Sequence, residues 1–450
     1  MINKETLAEK FKKNHPASSV DNTACYLLKV LSDCLIQTKV KEDSLYQLLH
    51  GLLRINIFKE RNLPKEGYKE LKRLQQIAIN SQEQLIQYIL YRYELNYLAE
   101  INFDSVSENH LVEIQMQARE VLKNIRNTHE HYCLYELLKN RLIYQGKAVS
   151  ENDRKKLNDL LLSEMSIVSA KTKNSLESRK LHLLFQSFFF TDIGDYKSAL
   201  KTFHELNRLF EKNAALWRHP PLDYLSSLDG ILDSLRTIGC YEEMDFYISK
   251  LEQLDNPAYP EYFCFIVRKS LMIYRLTVLL NAGQWDRALQ LISKSDPNLY
   301  KTYTLVDDDK QNELLFCIAL TYFKAKNLKK SQKHIQEIVL LGKIDHQSMI
   351  YKASRLLNML IHYEEKDLEY LDYEIRSYKR SVKGNRKLLQ TEKIIFKVIK
   401  INPDFNPSRK NTILWSPIAS AIESIEQDKY EMQLGKYFDF TGWIKDKFGK

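Results

Sequence analysis

Apolar side chains recur every three or four residues through most of the chain, which is the spacing of one face of an α-helix. The stretch "LHLLFQSFFF", which ends at Phe190, is apolar on more than one side, so the helix it predicts must be covered by several neighbours. The next helix has one apolar stripe, formed by Ala199, Leu200, Phe203, Leu206 and Phe210. The pattern therefore predicts an all-α fold in which two kinds of helix alternate.

A short turn phrase separates these two kinds of helix and recurs along the chain. It is clearest at Gly194 and Gly283, where glycine is followed by a polar residue, an aromatic residue and then alanine. Weaker copies centre on Gly239, Lys326 and Lys366, so the phrase returns at a nearly constant interval. The interval is roughly 40–45 residues, which is typical of stacked helix pairs. One pair cannot bury both of its faces alone, so each pair is expected to pack on its neighbours.

The residues of these turns resemble a known repeat. Gly-Asp-Tyr-x-x-Ala-x-x-x-Phe from Gly194 to Phe203, and Gly-x-Trp-x-x-Ala from Gly283 to Ala288, are similar to the tetratricopeptide repeat, over about residues 179–380. The period here is about ten residues longer than the 34 of that family. The glycine of the family's first helix is replaced by Ser187, Leu232, Leu276 and Ala319. The resemblance implies a right-handed superhelical α-solenoid of antiparallel helix pairs.

The repeats divide the chain into four expected regions. Residues 1–80 form an N-terminal helical region, and residues 81–175 continue as degenerate helical repeats. The repeats similar to the tetratricopeptide motif occupy residues 176–383. Residues 384–450 follow as a C-terminal helical cap, since a stack of repeats needs its last member covered.

Composition agrees with a helical protein and limits its location. Only 12 glycines and 10 prolines occur in 450 residues, which suits long helices better than sheets joined by tight turns. The six cysteines are scattered without a C-x-x-C pair, which is typical of a reducing compartment. No stretch has about 18 uninterrupted apolar residues, and the N-terminus lacks the apolar core of a secretory signal. We therefore expect a cytoplasmic protein with no membrane span.

The resemblance also implies a function. In the tetratricopeptide family the first helix of each pair lines a concave groove that binds a protein segment. The same positions here are Phe188, Asp229, Asp233, Arg236, Ile273, Thr277, Phe316 and Leu320. The leading interpretation is a non-enzymatic scaffold or adaptor that binds a peptide or protein segment in this groove, with its oligomeric state left open.

Charge suggests one alternative partner. From Glu374 to Lys410 there are 11 Lys and Arg against 3 Asp and Glu, so this segment holds +8 of the chain's net charge of +9. Nucleic acid or a phosphorylated partner could bind such a segment, although cations are also favoured at the end of a helix for local reasons. The candidate anion-binding residues are Arg376, Lys379, Arg380, Lys383, Arg386 and Lys387.

Other function classes receive less support. The chain lacks G-x-S-x-G, H-E-x-x-H, Walker A and G-x-G-x-x-G patterns, so no catalytic residue and no cofactor is predicted. "THEHYC" places His129, His131 and Cys133 together, but no second ligand pair follows at a suitable spacing, so no metal site is predicted. A further alternative is a regulatory helical receptor that senses peptides, with an effector region in residues 1–80.

Overall fold

The computed structural model describes residues 4–16, 19–104, 106–145, 148, 150–169, 175–217, 219–300, 308–340, 348–381, 388–400 and 411–448. These residues form helices and connecting turns, with no β-strand among them. The prediction of an all-α protein is therefore confirmed for this part of the chain.

The first six helices follow one another closely. They are α1 (Lys4–Asn14), α2 (Val20–Glu42), α3 (Ser44–Glu60), α4 (Pro64–Asn80), α5 (Gln84–Glu100) and α6 (Glu108–Gln145). The next six are α7 (Glu151–Lys155), α8 (Asn158–Ser169), α9 (Leu176–Asp192), α10 (Tyr196–Lys212), α11 (Leu222–Ile238) and α12 (Met244–Glu252).

The remaining helices extend to the C-terminal end. They are α13 (Glu261–Asn281), α14 (Trp285–Lys294), α15 (Asp308–Lys324), α16 (Leu328–Leu340), α17 (Met349–Glu364) and α18 (Leu368–Ser381). The last four are α19 (Gln390–Val398), α20 (Asn411–Gln427), α21 (Met432–Gly435) and α22 (Phe440–Phe448).

The chain divides into two compact units. Unit 1 comprises Met1–Glu130 and Lys171–Ser178, and unit 2 comprises His131–Ala170 and Arg179–Lys450. The first division falls inside α6, well beyond position 80, where the sequence predicted the end of the N-terminal region. This placement has a simple cause, because α6 supplies apolar residues such as Ile114 to the core of unit 1 and Leu134 to the core of unit 2.

In unit 1 each helix packs on the next, from α2 to α5. The turns after α3, α4 and α5 use left-handed residues other than glycine, at Asn62, Gln82 and Asn102, with φ of 57, 56 and 55°. These positions are evenly spaced, and the residue after each of them donates its backbone N–H to the carbonyl five positions back. Leu71 and Leu74 of α4 are buried at the centre of the core that α3, α4 and α5 share.

Unit 2 contains the turns predicted from the sequence. Gly194, Gly239, Gly283, Lys326 and Lys366 all have positive φ, between 62 and 79°. In each case the next residue donates its backbone N–H to the carbonyl five positions back, at 2.9 to 3.0 Å. This pattern satisfies carbonyl groups left free at the end of the first helix. The five turns are therefore structurally equivalent, including the two that use lysine.

Helices of unit 2 pack in a regular order. Each helix from α10 to α18 contacts the next one along the chain. The longer first helices of successive hairpins also pack side by side, as α11 with α13, α13 with α15, and α15 with α17. The predicted stripe of α10 is buried at Ala199, Phe203 and Leu206. The inner helices α11, α13, α15 and α17 therefore form a continuous layer.

Candidate functional site

A charged cluster lies on this layer of inner helices. Asp229, Asp233 and Arg236 are spaced by four and three positions on α11, so their side chains lie on one face. Lys310 and Glu313 extend from the first turns of α15 toward the same place. Lys436, which follows α21, completes the set of six residues that we call the charged cluster.

Short ion pairs join the members of the charged cluster. The Nζ of Lys310 is 2.6 Å from Oδ1 of Asp229 and 3.6 Å from Oε2 of Glu313. Arg236 pairs with Asp233 and with Glu313. The Nζ of Lys436 lies 2.9 and 3.1 Å from the two carboxylate oxygens of Asp233. Three carboxylates therefore face three cations, and the cluster is electrically balanced.

Mutual pairing keeps Glu313 and Lys310 charged. Burial raises the pKa of Glu313, but the positive charges of Arg236 and Lys310 outweigh this and lower it to about 2. Burial lowers the pKa of Lys310, but the neighbouring carboxylates of Asp229 and Glu313 raise it above its usual value. Removing one partner from such a buried set is costly, because it leaves an uncompensated charge.

The residues after α20 cover this cluster. We call residues 428–448 the C-terminal segment. Its aromatic rings pack on inner helices, with Tyr437 against Phe316 at a centroid distance of 5.9 Å and Phe438 against Phe323 at 6.1 Å. Trp443 packs against Tyr363 of α17 at 5.8 Å. The segment therefore lies along α15 and α17, on the surface that the family resemblance assigned to an external ligand.

Polar contacts fix the C-terminal segment at both ends. Tyr430 donates a hydrogen bond to Glu151 at 2.9 Å, and the Nε2 of Gln433 donates to the carbonyl of Ala148 at 2.8 Å. At the other end Lys447 pairs with Glu364 at 2.8 Å. These contacts extend from the region before α7 to the end of α17, so the segment follows the inner layer over most of unit 2.

The eight residues that the sequence predicted to line the groove fall into three groups. Asp229, Asp233 and Arg236 come together in the charged cluster, as described above. Ile273, Phe316 and Leu320 are buried in the cores between helices, and Phe316 contacts the C-terminal segment. Thr277 and Phe188 are half-buried; Thr277 donates its hydroxyl to the carbonyl of Ile273 at 2.9 Å, and Phe188 packs on Phe203.

Half of the basic candidate residues can be placed. The last turns of α18 carry Arg376, Lys379 and Arg380. The guanidinium Nε–H groups of Arg376 and Arg380 donate hydrogen bonds along the surface of the helix. The acceptors are backbone carbonyls one turn earlier, at 3.1 and 3.3 Å. Basic side chains near the C-terminal end of a helix commonly hydrogen-bond to its last carbonyl groups in this way. The other three, Lys383, Arg386 and Lys387, lie outside the described residues.

Unit 1 carries a second surface of interest, on α2. None of the described residues of this helix is buried. Tyr26, Leu28 and Leu35 are 65, 68 and 65% exposed, and Leu27, Leu31 and Ile36 are also exposed. We call these six residues the α2 surface. Contiguous apolar surfaces of this kind on soluble proteins mark interaction sites.

Sequence reasoning missed two parts of these sites. The charged cluster needs Lys310, Glu313 and Lys436, which lie far from Asp233 in the sequence and carry no shared motif. The α2 surface was visible as the apolar run "ACYLLKVLSDCLI", but its exposure depends on how few helices cover it.

None of the helices in the described ranges is both long enough and apolar enough to cross a membrane.

Comparison with known proteins identifies no family for this chain. No protein-family model matches the chain, and no curated protein sequence matches it.

Proposed function

We propose that this chain is a non-enzymatic, cytoplasmic scaffold similar to tetratricopeptide-repeat solenoids, and that a helical segment of a protein partner docks on the α2 surface. The observation that carries the proposal is that α2 is 23 residues long and buries no described side chain. An apolar surface of this size is unfavourable in water, so a partner that covers it gains binding energy.

The repeat architecture supports the scaffold class. Five equivalent turns at a nearly constant interval and side-by-side inner helices are what a stack of helix pairs requires. End repeats of such stacks normally present a polar outer face. The α2 surface is apolar instead, which favours an interaction role for this surface.

The kind of partner follows from the neighbours of α2. Inside unit 1 a helix such as α4 is covered on two sides, by α3 and α5. Within the described residues α2 packs mainly on α3, so one further helix would continue the packing order of the unit. We therefore expect an amphipathic helix whose apolar stripe contacts Leu28, Leu31 and Leu35.

The groove is less well supported as the partner site. Phe438, Phe440, Trp443 and Ile444 of the C-terminal segment are buried in the core of unit 2. A ligand in the groove would have to replace these contacts, and each large apolar side chain contributes about 1.5–3 kcal/mol when fully buried.

The test is quantitative co-purification with a matched control. The Leu28→Glu/Leu35→Glu variant introduces charge into the α2 surface, whereas Leu340→Glu makes the same change at a residue of unit 2 that is 78% exposed. We expect at least one partner to be retained by wild type and by Leu340→Glu but weakened tenfold or more by the double variant. Hydrogen exchange of the purified complex should show protection within α2.

Other outcomes would exclude this proposal. Because no described residue of α2 is buried, the double variant should keep the helical circular dichroism and melting temperature of wild type. Partners that the double variant binds as well as wild type, or protection confined to helices outside unit 1, would refute docking on the α2 surface. Concentration-dependent dimerisation that Leu28→Glu/Leu35→Glu abolishes would instead assign the surface to a second copy of the chain.

A further inference from the structure

Three side chains of unit 2 that sequence motifs did not connect come together between helices. His131 belongs to α6, Glu164 to α8 and His182 to α9. One ligand atom from each lies within 4.8 Å of the other two. Nδ1 of His131 is 3.6 Å from Oε2 of Glu164, and Nδ1 of His182 contacts Oε1 of the same carboxylate.

The site is enclosed on most sides. The His131 and Glu164 side chains are each 3% exposed, whereas the His182 side chain is 26% exposed. Within the described residues, Nδ1 of His131 and Oε2 of Glu164 have no hydrogen-bond partner, although both atoms are buried. Buried polar groups without a partner are rare, because each loses the hydrogen bonds it would make to water.

We propose that His131, Glu164 and His182 bind one divalent transition-metal ion, of which Zn²⁺ fits best. Zinc accepts imidazole nitrogen at about 2.0–2.1 Å and carboxylate oxygen at about 2.0–2.2 Å. Two such ligands in a tetrahedral site lie about 3.4 Å apart by this geometry, close to the 3.6 Å between His131 and Glu164. Two imidazoles also disfavour Mg²⁺ and Ca²⁺, which prefer oxygen ligands.

The exposure of the three ligands gives the direction of entry. His182 lies on the solvent side of the site, so the ion would enter past this residue. A water molecule would then occupy the fourth coordination position of the ion. The ion would join α6, α8 and α9 beside the apolar cluster that contains Leu134, Leu160 and Phe185. The bound ion would hold the first helices of unit 2 together, because its three ligands come from α6, α8 and α9.

The short motif around His131 does not supply the other ligands. His129 and Cys133 are exposed, whereas His131 is buried. His129 and Cys133 are thus on the solvent-facing side of α6, and the partners of His131 come from two later helices of the chain. For this reason spacing alone predicted no metal site.

The experiment measures Zn²⁺ binding by the full chain after treatment with a chelator. Isothermal titration calorimetry and elemental analysis should give one ion per chain, and the ion should raise the melting temperature. His182→Ala, which removes the most exposed ligand, and Glu164→Gln, which preserves shape, should each weaken binding at least tenfold. His129→Ala, on the same helix as His131 but exposed, should bind as wild type.

Each alternative result would overturn the proposal. Absence of stoichiometric binding would do so, as would equal affinity in wild type, His182→Ala and Glu164→Gln. If either variant fails to fold, X-ray absorption spectroscopy of the wild-type zinc complex decides. Nitrogen and oxygen neighbours alone support the site, whereas a sulfur neighbour at about 2.3 Å would assign the ion to a cysteine such as Cys133.

Discussion

The placement of the C-terminal segment can be tested at a single glycine. Gly194 and Gly239 both end the first helix of a hairpin, with φ of 77 and 79°. They differ in their surroundings. A Cβ atom at Gly194 would lie 3.0 Å from the carbonyl oxygen of Lys429, whereas one at Gly239 would have no atom within 4 Å. Gly194→Ala and Gly239→Ala therefore form a matched pair.

The expected magnitudes separate two effects. Both alanines must adopt the left-handed backbone conformation, which costs an L-residue about 1–2 kcal/mol. Only the alanine at position 194 also meets the backbone of the C-terminal segment. Overpacking of this kind typically costs about 1–3 kcal/mol, and we use about 1 kcal/mol because a small shift relieves the contact.

Hydrogen exchange is the direct assay for this difference. A loss of about 1 kcal/mol in local stability increases the population of the open state about fivefold. Amides of residues 428–437 should therefore exchange about five times faster in Gly194→Ala than in Gly239→Ala. The turn amides themselves should be affected alike in both variants. Identical exchange of residues 428–437 in the two variants would refute the contact between this turn and the C-terminal segment.

Three further predictions concern buried charge. Lowering the pH from 4.5 toward 2 should destabilise wild type more than Glu313→Gln in acid unfolding, because the low pKa of Glu313 makes its ionised form contribute stability that is lost on protonation. Burial lowers the pKa of Lys269 to about 8, so the cost of its buried charge is present below pH 8 and is lost as the pH rises above 8; the stability of wild type relative to Lys269→Met should therefore increase above pH 8 in thermal unfolding. Lys436→Met should cost about 3–5 kcal/mol in denaturant unfolding, and Asp233→Asn in the same chain should restore part of this loss.

The turns of unit 2 could be predicted because their cause is local. A helix hairpin needs a left-handed residue at its end, and Gly194 and Gly283 are the residue type that adopts this conformation without strain. Lys326 and Lys366 occupy the same position at some cost, so only the spacing from neighbouring turns revealed them. The same conformation at Asn62 in unit 1 was not predicted, because no glycine and no following aromatic residue marks it.

The sites could not be predicted in the same way, because their members are distant in sequence. The resemblance to the tetratricopeptide repeat pointed to Asp233 and Arg236, which do lie on the inner layer. It gave no indication that Lys436, near the other end of the chain, would pair with Asp233. His131 and His182 are likewise neighbours only because α6 and α9 both pass beside Glu164.

Charge balance explains why the C-terminal segment belongs on the inner layer. Without it the cluster has the carboxylates of Asp229, Asp233 and Glu313 but only the cations Arg236 and Lys310. Three carboxylates that share two cations carry an excess negative charge, so the layer without the segment would have to admit water or another cation. The segment supplies that cation together with the aromatic rings that cover α15 and α17. The same contacts that stabilise unit 2 therefore cover its inner layer, which is why we propose the exposed α2 surface, and not this layer, as the docking site for a partner.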